Sequence, residues 1–255
     1  MTTFKTYLIE SFEVTKDVKR LTPKKALNKE IWDETEKLRP EVRGAMLKIA
    51  KQFIEFLTVS PSIVKDIIFT GSLANYNYTK YSDFDIHVVI KKKKTDKIKD
   101  FDFQDLIQTK RFLWNEVHNI HIYGHPVELY TQMEDEKLEA AAIYSIKNDK
   151  WVKRPTAFRK SPDVDAITAR VDDIKSQIDT HLKTKTDKLD ALTKLKEKID
   201  KMRKAGLASG GEMSTDNLVF KVLRNEKYID KLVNYMNKLA DQQLSVARAK
   251  RNKLR

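Results

Sequence analysis

Cysteine is absent from the 255 residues of this chain, and glycine and proline occur only six times each. Without cysteine the chain can form no disulfide framework, no zinc-thiolate site and no thiol nucleophile. No apolar run approaches the roughly 20 residues that span a bilayer, and the N-terminus lacks a basic region followed by a long apolar core. We therefore expect a soluble, unexported protein in a reducing, cytoplasmic setting, with no membrane partner.

Positive charge is distributed unevenly along the chain, whose net charge is +13. Residues 1–146 hold 23 basic and 22 acidic side chains, whereas residues 147–255 hold 27 and 15. An excess confined to one half indicates a region that faces a polyanion, although a solvated helical surface has the same composition. Lysine outnumbers arginine there and aromatic residues are sparse, so contacts would go to phosphates rather than to specific bases.

The spacing of apolar residues predicts a mixed region followed by helices. Helices are predicted over about 24–57, divided at Pro40, and over about 103–118. Strands are predicted at 63–69, 83–90, 120–123 and 126–131. Beyond about residue 163 only helix periods remain, interrupted by a loop at 207–211. We therefore divide the chain into N-terminal helices packed on the core at 1–60, the core itself at 61–150 and a basic helical domain at 151–255.

Five residues form the most informative pattern in the sequence. Asp83 and Asp85 are two apart on a predicted strand, so both carboxylates point to one face and can share a hard cation such as Mg²⁺. Gly71 and Ser72 end the preceding strand, where a glycine lets a phosphate approach the backbone and the hydroxyl adds a donor. Glu128, between two apolar neighbours on a later strand, is the natural third carboxylate for a catalytic metal.

In this order the pattern resembles the polymerase β-type nucleotidyltransferase superfamily. The resemblance implies an α+β fold: a short mixed sheet flanked by helices, followed by an all-helical C-terminal domain. It also implies that Asp83, Asp85 and Glu128 are catalytic and bind two divalent ions, Mg²⁺ or Mn²⁺. Gly71 and Ser72 would then hold the nucleoside triphosphate, ATP being the favoured donor, and Ser82, which matches a frequent Ser-Asp-x-Asp variant, would also bind the nucleotide.

The expected reaction is in-line attack of an acceptor hydroxyl on the α-phosphorus, with pyrophosphate leaving. We expect residues 151–255 to position RNA or another polyanionic acceptor. Transfer to a protein hydroxyl, oligonucleotide synthesis, and a silent nucleotide-binding or nucleic-acid-binding regulator remain alternatives. The base, the acceptor and the oligomeric state are not identified by the sequence.

Other residues have less specific signals. Lys80 would contact phosphate or only solvent, and the tyrosines at 76, 78 and 81 would stack on a base or cover the core. The histidines at 87, 118, 121 and 125 match no zinc spacing, although His87 shares the face of Asp85. The basic, glycine-containing stretch at 203–212 is either an anion site or an interhelical loop.

The first ten residues resemble the N-terminal segments of proteins packaged in the heads of T-even-type tailed phages. That resemblance implies a phage member acting in the host cytoplasm or packaged in the head, with the segment removed after Glu10. The alternative is an amphipathic first turn that packs Phe4, Tyr7 and Leu8 on the body of the protein.

Overall fold

A computed structural model describes residues 14–91, 100–158, 161–183 and 189–245, so the predictions for residues 1–10 lie outside the described residues. Its helices are α1 (residues 14–20), α2 (Pro40–Leu57), α3 (Asp100–Val117), α4 (Val164–Lys183), α5 (Leu189–Gly210), α6 (Thr215–Asn225) and α7 (Tyr228–Leu244). Its strands are β1 (Val64–Thr70), β2 (Phe84–Ile90), β3 (His121–Ile122), β4 (His125–Met133), β5 (Ile143–Ser145) and β6 (Lys150–Lys153).

The chain divides into two compact units, which we call the sheet unit (Pro23–Arg159) and the helical unit (Met1–Thr22 with Lys160–Arg255). These divisions differ from the sequence-based boundaries at residues 60 and 150. At one end, Val14 and Val18 of α1 lie in the core of the helical unit. At the other, β6 is a strand of the sheet, and its Trp151 stacks on Trp32 at 4.7 Å between ring centroids.

The sheet has six strands in the order β3-β4-β2-β1-β5-β6. β2 and β4 are parallel, and every other neighbouring pair is antiparallel. Alternate side chains of the central strands point to opposite faces. One face is apolar and packs with the buried side of α2 around Phe53, Phe69 and Phe84. The opposite face carries the polar side chains discussed below, so the mixed sheet flanked by helices is confirmed.

Residues 23–39 are not the predicted helix but a folded loop with a single bridge between Trp32 and Leu38. Their large apolar side chains are nevertheless buried, and the Trp32 indole donates to the carbonyl of Leu73 at 2.9 Å. The Asp33 carboxylate accepts from the amides of Thr35 and Lys37, which competes with helical hydrogen bonding. The apolar spacing therefore predicted which side chains are buried, but the helix that it predicted is wrong.

The helical unit consists of α1 and α4 to α7 around one apolar core. The predicted loop at 207–211 is wrong for most of its length, because α5 continues to Gly210. A Cβ on Gly206 would lie 2.6 Å from the Cβ of Asp216 at the start of α6, so this glycine permits close helix packing. Among the described helices, none is long and apolar enough to cross a membrane.

Candidate active site

The carboxylates predicted to act together lie on adjacent strands of the sheet. Asp85 is paired with Thr70 of β1 on one side and with Glu128 of β4 on the other. Asp83 precedes β2 by one residue, and strand alternation turns it to the same face as Asp85. Strand pairing thus brings together two segments that are more than forty residues apart in sequence.

The three acidic side chains form a compact cluster. One oxygen from each of Asp83, Asp85 and Glu128 lies within 4.8 Å of the other two, and all three residues are half-buried. Within the described residues, no lysine or arginine forms an ion pair with Asp83 or Glu128. Oxygen ligands at this spacing suit hard divalent cations, which would relieve the repulsion between the carboxylates. The residues present therefore fit a magnesium or manganese ion.

Gly71 is required by the packing of Asp85. Its φ is 78° and its ψ is −165°, a conformation that side chains other than glycine rarely adopt. A Cβ built on Gly71 would lie 1.8 Å from Oδ2 of Asp85, so the carboxylate fills the space that a side chain would need. The sequence pattern indicated this glycine for phosphate approach, and the structure shows that it also makes room for the carboxylate of Asp85.

Ser72 and Ser82 brace the loop between β1 and β2. The Ser72 hydroxyl donates to Oγ of Ser82 at 2.7 Å, and the Thr79 amide donates to the same oxygen at 2.9 Å. Ser82 is buried, and its carbonyl lies 2.7 Å from Nδ1 of His125. The Ser82 side chain therefore fixes the side chain of Ser72, which follows Gly71, and contact of Ser82 with a nucleotide stays a prediction. Lys80 is exposed, and its ammonium lies 4.7 Å from the centroid of the Tyr81 ring.

Tyr130 is a site residue that the sequence analysis missed. Its phenol donates to Oε2 of Glu128 at 2.5 Å. Burial, together with the neighbouring carboxylates, raises the pKa of Tyr130 above its usual value, so the phenol keeps its proton. Two residues beyond Glu128 on the same strand, Tyr130 shares its face, and this alternation is the signal that would have found it.

His87 continues the polar face along β2. Its ring stacks on that of Tyr130 at 4.7 Å between centroids, and burial lowers the pKa of His87 to about 4. His87 is thus a neutral partner of Tyr130 at physiological pH. In the described part of the chain no histidine joins a group of three potential metal ligands. Tyr76 and Tyr78 pack against the core, whereas Tyr81 is exposed.

The comparison with protein families decides the class to which this arrangement belongs. Residues 47–153 match the family model described as "Nucleotidyltransferase domain". They are a nucleotidyltransferase domain of the polymerase β type. The matched range runs from α2 through β6 and contains the carboxylate cluster, Gly71 and Ser72. The nucleotidyltransferase class predicted from the sequence pattern is therefore confirmed.

Two solved structures are similar to parts of this chain. One is a nucleotidyltransferase candidate from Sulfolobus solfataricus, with 23% identity over 44% of this chain and 90% of that one, at a TM-score of 0.27. The other is the STING-associated CdnE c-di-GMP synthase from Capnocytophaga granulosa, with 14% identity over 81% and 83% of the two chains, at a TM-score of 0.21. No curated protein sequence matches the chain.

Proposed function

We propose that this nucleotidyltransferase moves a nucleoside monophosphate, with ATP as the favoured donor, to a hydroxyl of RNA. The observation that carries the proposal is the three-carboxylate cluster beside Gly71 and Ser72 in a nucleotidyltransferase domain. The acceptor oxygen would form a bond to the α-phosphorus while the bond to pyrophosphate breaks. The electron pair of that bond leaves with pyrophosphate.

Each group at the site has a role in this reaction. Asp83, Asp85 and Glu128 would hold divalent cations, which when bound neutralise charge on the phosphate oxygens and the leaving group. Glu128, at one edge of the cluster, would take the proton of the acceptor hydroxyl. Ser72, held by Ser82, and the backbone at Gly71 would bind the triphosphate.

The charge of the helical unit supports a polyanionic acceptor. On α5, Lys194 and Lys201 are exposed but pair with acidic residues one turn away, at 2.9 and 3.6 Å. Lys198 and Lys204 are also exposed, and within the described residues neither forms an ion pair. Such cations contact phosphates without reading bases. We therefore propose RNA binding without sequence specificity.

The test measures both pyrophosphate release and transfer of the label from each α-labelled nucleoside triphosphate, with Mg²⁺ or Mn²⁺, in the presence and absence of total cellular RNA. Asp83→Asn and Asp85→Asn should abolish release while the protein stays folded. Asp105→Asn, which removes an exposed carboxylate of α3 in the same unit, is the matched control and should retain activity.

The distribution of the label separates the proposal from its alternatives. Label in RNA that depends on both aspartates supports the proposal. Label in protein or in a short oligonucleotide would show that the acceptor is not RNA. Nucleotide binding without pyrophosphate release over all acceptors would identify a silent regulator. Full activity in both aspartate variants would refute the assignment of the site.

A further inference from the structure

The register of α3 against the sheet is fixed by side-chain amides. β3 pairs only with the start of β4, and beyond it two amides of α3 bond the edge of β4. Asn115 donates to the carbonyl of Leu129 at 2.9 Å and accepts from its amide at 3.1 Å. About two turns earlier on the same face of α3, Gln108 donates to the carbonyl of Thr131 at 3.3 Å. Because Arg111 lies between these two anchors, its position beside Tyr130 is determined by the fold.

Arg111 places a permanent positive charge on the Glu128 side of the carboxylate cluster. Its guanidinium carbon lies 5.4 Å from the centroid of the Tyr130 ring, whose phenol donates to Glu128. The same charge is felt by His87, where it adds to burial in lowering the pKa of that histidine. A guanidinium over an aromatic ring keeps its in-plane N–H groups available for other partners.

Those N–H groups have no acceptor among the described residues. Arg111 forms no ion pair there, and its Nε is buried without a hydrogen-bond partner. Buried donors are almost always satisfied, so each exception calls for an explanation. Arg111 thus forms no ion pair with the carboxylates on the nearby sheet face. An unpaired arginine at such a position is expected where the protein binds an anion from outside.

We infer that Arg111 binds a phosphate group of a substrate beside Glu128. The inference deepens the proposed function, because both substrates of nucleotide transfer to RNA carry phosphates. The planar fork of a guanidinium matches two phosphate oxygens, which an ammonium on a lysine cannot do with the same geometry. The phosphate belongs either to the nucleoside triphosphate or to the RNA backbone, and these sources give different results in one experiment.

The experiment measures equilibrium binding, so it does not require turnover. Wild type, Arg111→Met and Arg111→Lys are titrated in Mn²⁺ with α,β-methylene ATP and, separately, with a short single-stranded RNA. Methionine preserves packing on Tyr130 while removing the charge, and lysine preserves the charge without the fork. Lys110→Met is the matched control, because the Lys110 ammonium binds the carbonyls of Phe56 and Leu57 at the end of α2.

Loss of the Arg111 guanidinium should weaken the binding of one of the two ligands at least about tenfold, as expected for a hydrogen bond to a charged group. Arg111→Lys should recover part of that loss, and Lys110→Met should leave both affinities unchanged. Weaker binding of the methylene analogue alone assigns the phosphate to the donor, and weaker binding of RNA alone assigns it to the acceptor.

Unchanged affinities for both ligands in Arg111→Met would overturn the inference, whether or not its melting temperature falls. A wild-type protein that binds neither ligand would overturn it as well. The proposed function fails separately: Arg111-dependent binding in a protein that releases no pyrophosphate would refute nucleotide transfer and leave the phosphate contact standing.

Discussion

Substitution of Gly71 by alanine should disable the site through Asp85 rather than through the backbone alone. The new Cβ would lie 1.8 Å from Oδ2 of Asp85, whereas real contacts of this kind exceed 3.0 Å, so the carboxylate must move by more than an ångström. Displacement of a catalytic group by about 1 Å can cost about 10²-fold in rate. The positive φ adds about 1–3 kcal/mol of backbone strain to the folded state.

Gly124→Ala is the matched control for this prediction. Gly124 has nearly the same φ, 79°, in the turn between β3 and β4, but nothing lies within 4 Å of its Cβ position. Both variants should lose stability in thermal unfolding because of the positive φ, Gly71→Ala the more so because its Cβ overlaps Asp85, and only Gly71→Ala should lose Mn²⁺ binding and pyrophosphate release. If Gly71→Ala binds Mn²⁺ and releases pyrophosphate as Gly124→Ala does, the proposed dependence of Asp85 on this glycine is refuted.

Two further predictions concern a site carboxylate and a structural one. Tyr130→Phe removes the donor that orients Glu128 and should weaken Mn²⁺ binding, followed by electron paramagnetic resonance, by about 10–100-fold. Tyr144→Phe removes a phenol that is bonded to Asp149 at 2.8 Å and should leave Mn²⁺ binding unchanged. Equal Mn²⁺ affinities in the two variants would contradict the positioning role of Tyr130. Burial raises the pKa of Glu226 above its ordinary 4.5 despite its contact with Lys175, so its contribution to stability is present below that value and lost as pH rises through the folded pKa. In urea unfolding, Glu226→Gln should therefore gain stability relative to wild type as the pH rises above the ordinary pKa of 4.5, and a pH-independent difference would contradict this.

The carboxylate cluster could be predicted because it rests on short-range rules. Alternation along a strand places Asp83 and Asp85 on one face, and a carboxylate between apolar neighbours marks Glu128 as a strand residue on a polar face. The order of the glycine, the aspartates and the glutamate then suffices to indicate the family. The same alternation extends to Tyr130, although nothing in the sequence states that its phenol would bond to Glu128.

The local conformation was harder to predict where buried residues happen to have a helix-like spacing without forming a helix. Residues 23–39 have that spacing, yet Asp33 binds neighbouring amides and Trp32 packs against Phe69 and Trp151. Gly206 shows the opposite case, since a glycine that suggests a nearby loop lies inside α5 where α6 approaches closely. The contacts of Trp32 come from residues distant in sequence, whereas Asp33 binds amides two and four positions on and Gly206 meets the start of α6 ten positions on.

The sequence by itself determined which residues form the carboxylate pattern and the glycine-serine pair, because strand periodicity and side-chain chemistry are local properties. Only the tertiary structure decided which positively charged side chain lies near these residues. Arg111 lies seventeen positions before Glu128 in the chain, and it reaches the site because Gln108 and Asn115 bond the free edge of β4. That docking depends on backbone groups left unpaired by the short β3, a property of the assembled sheet that no spacing along the chain encodes.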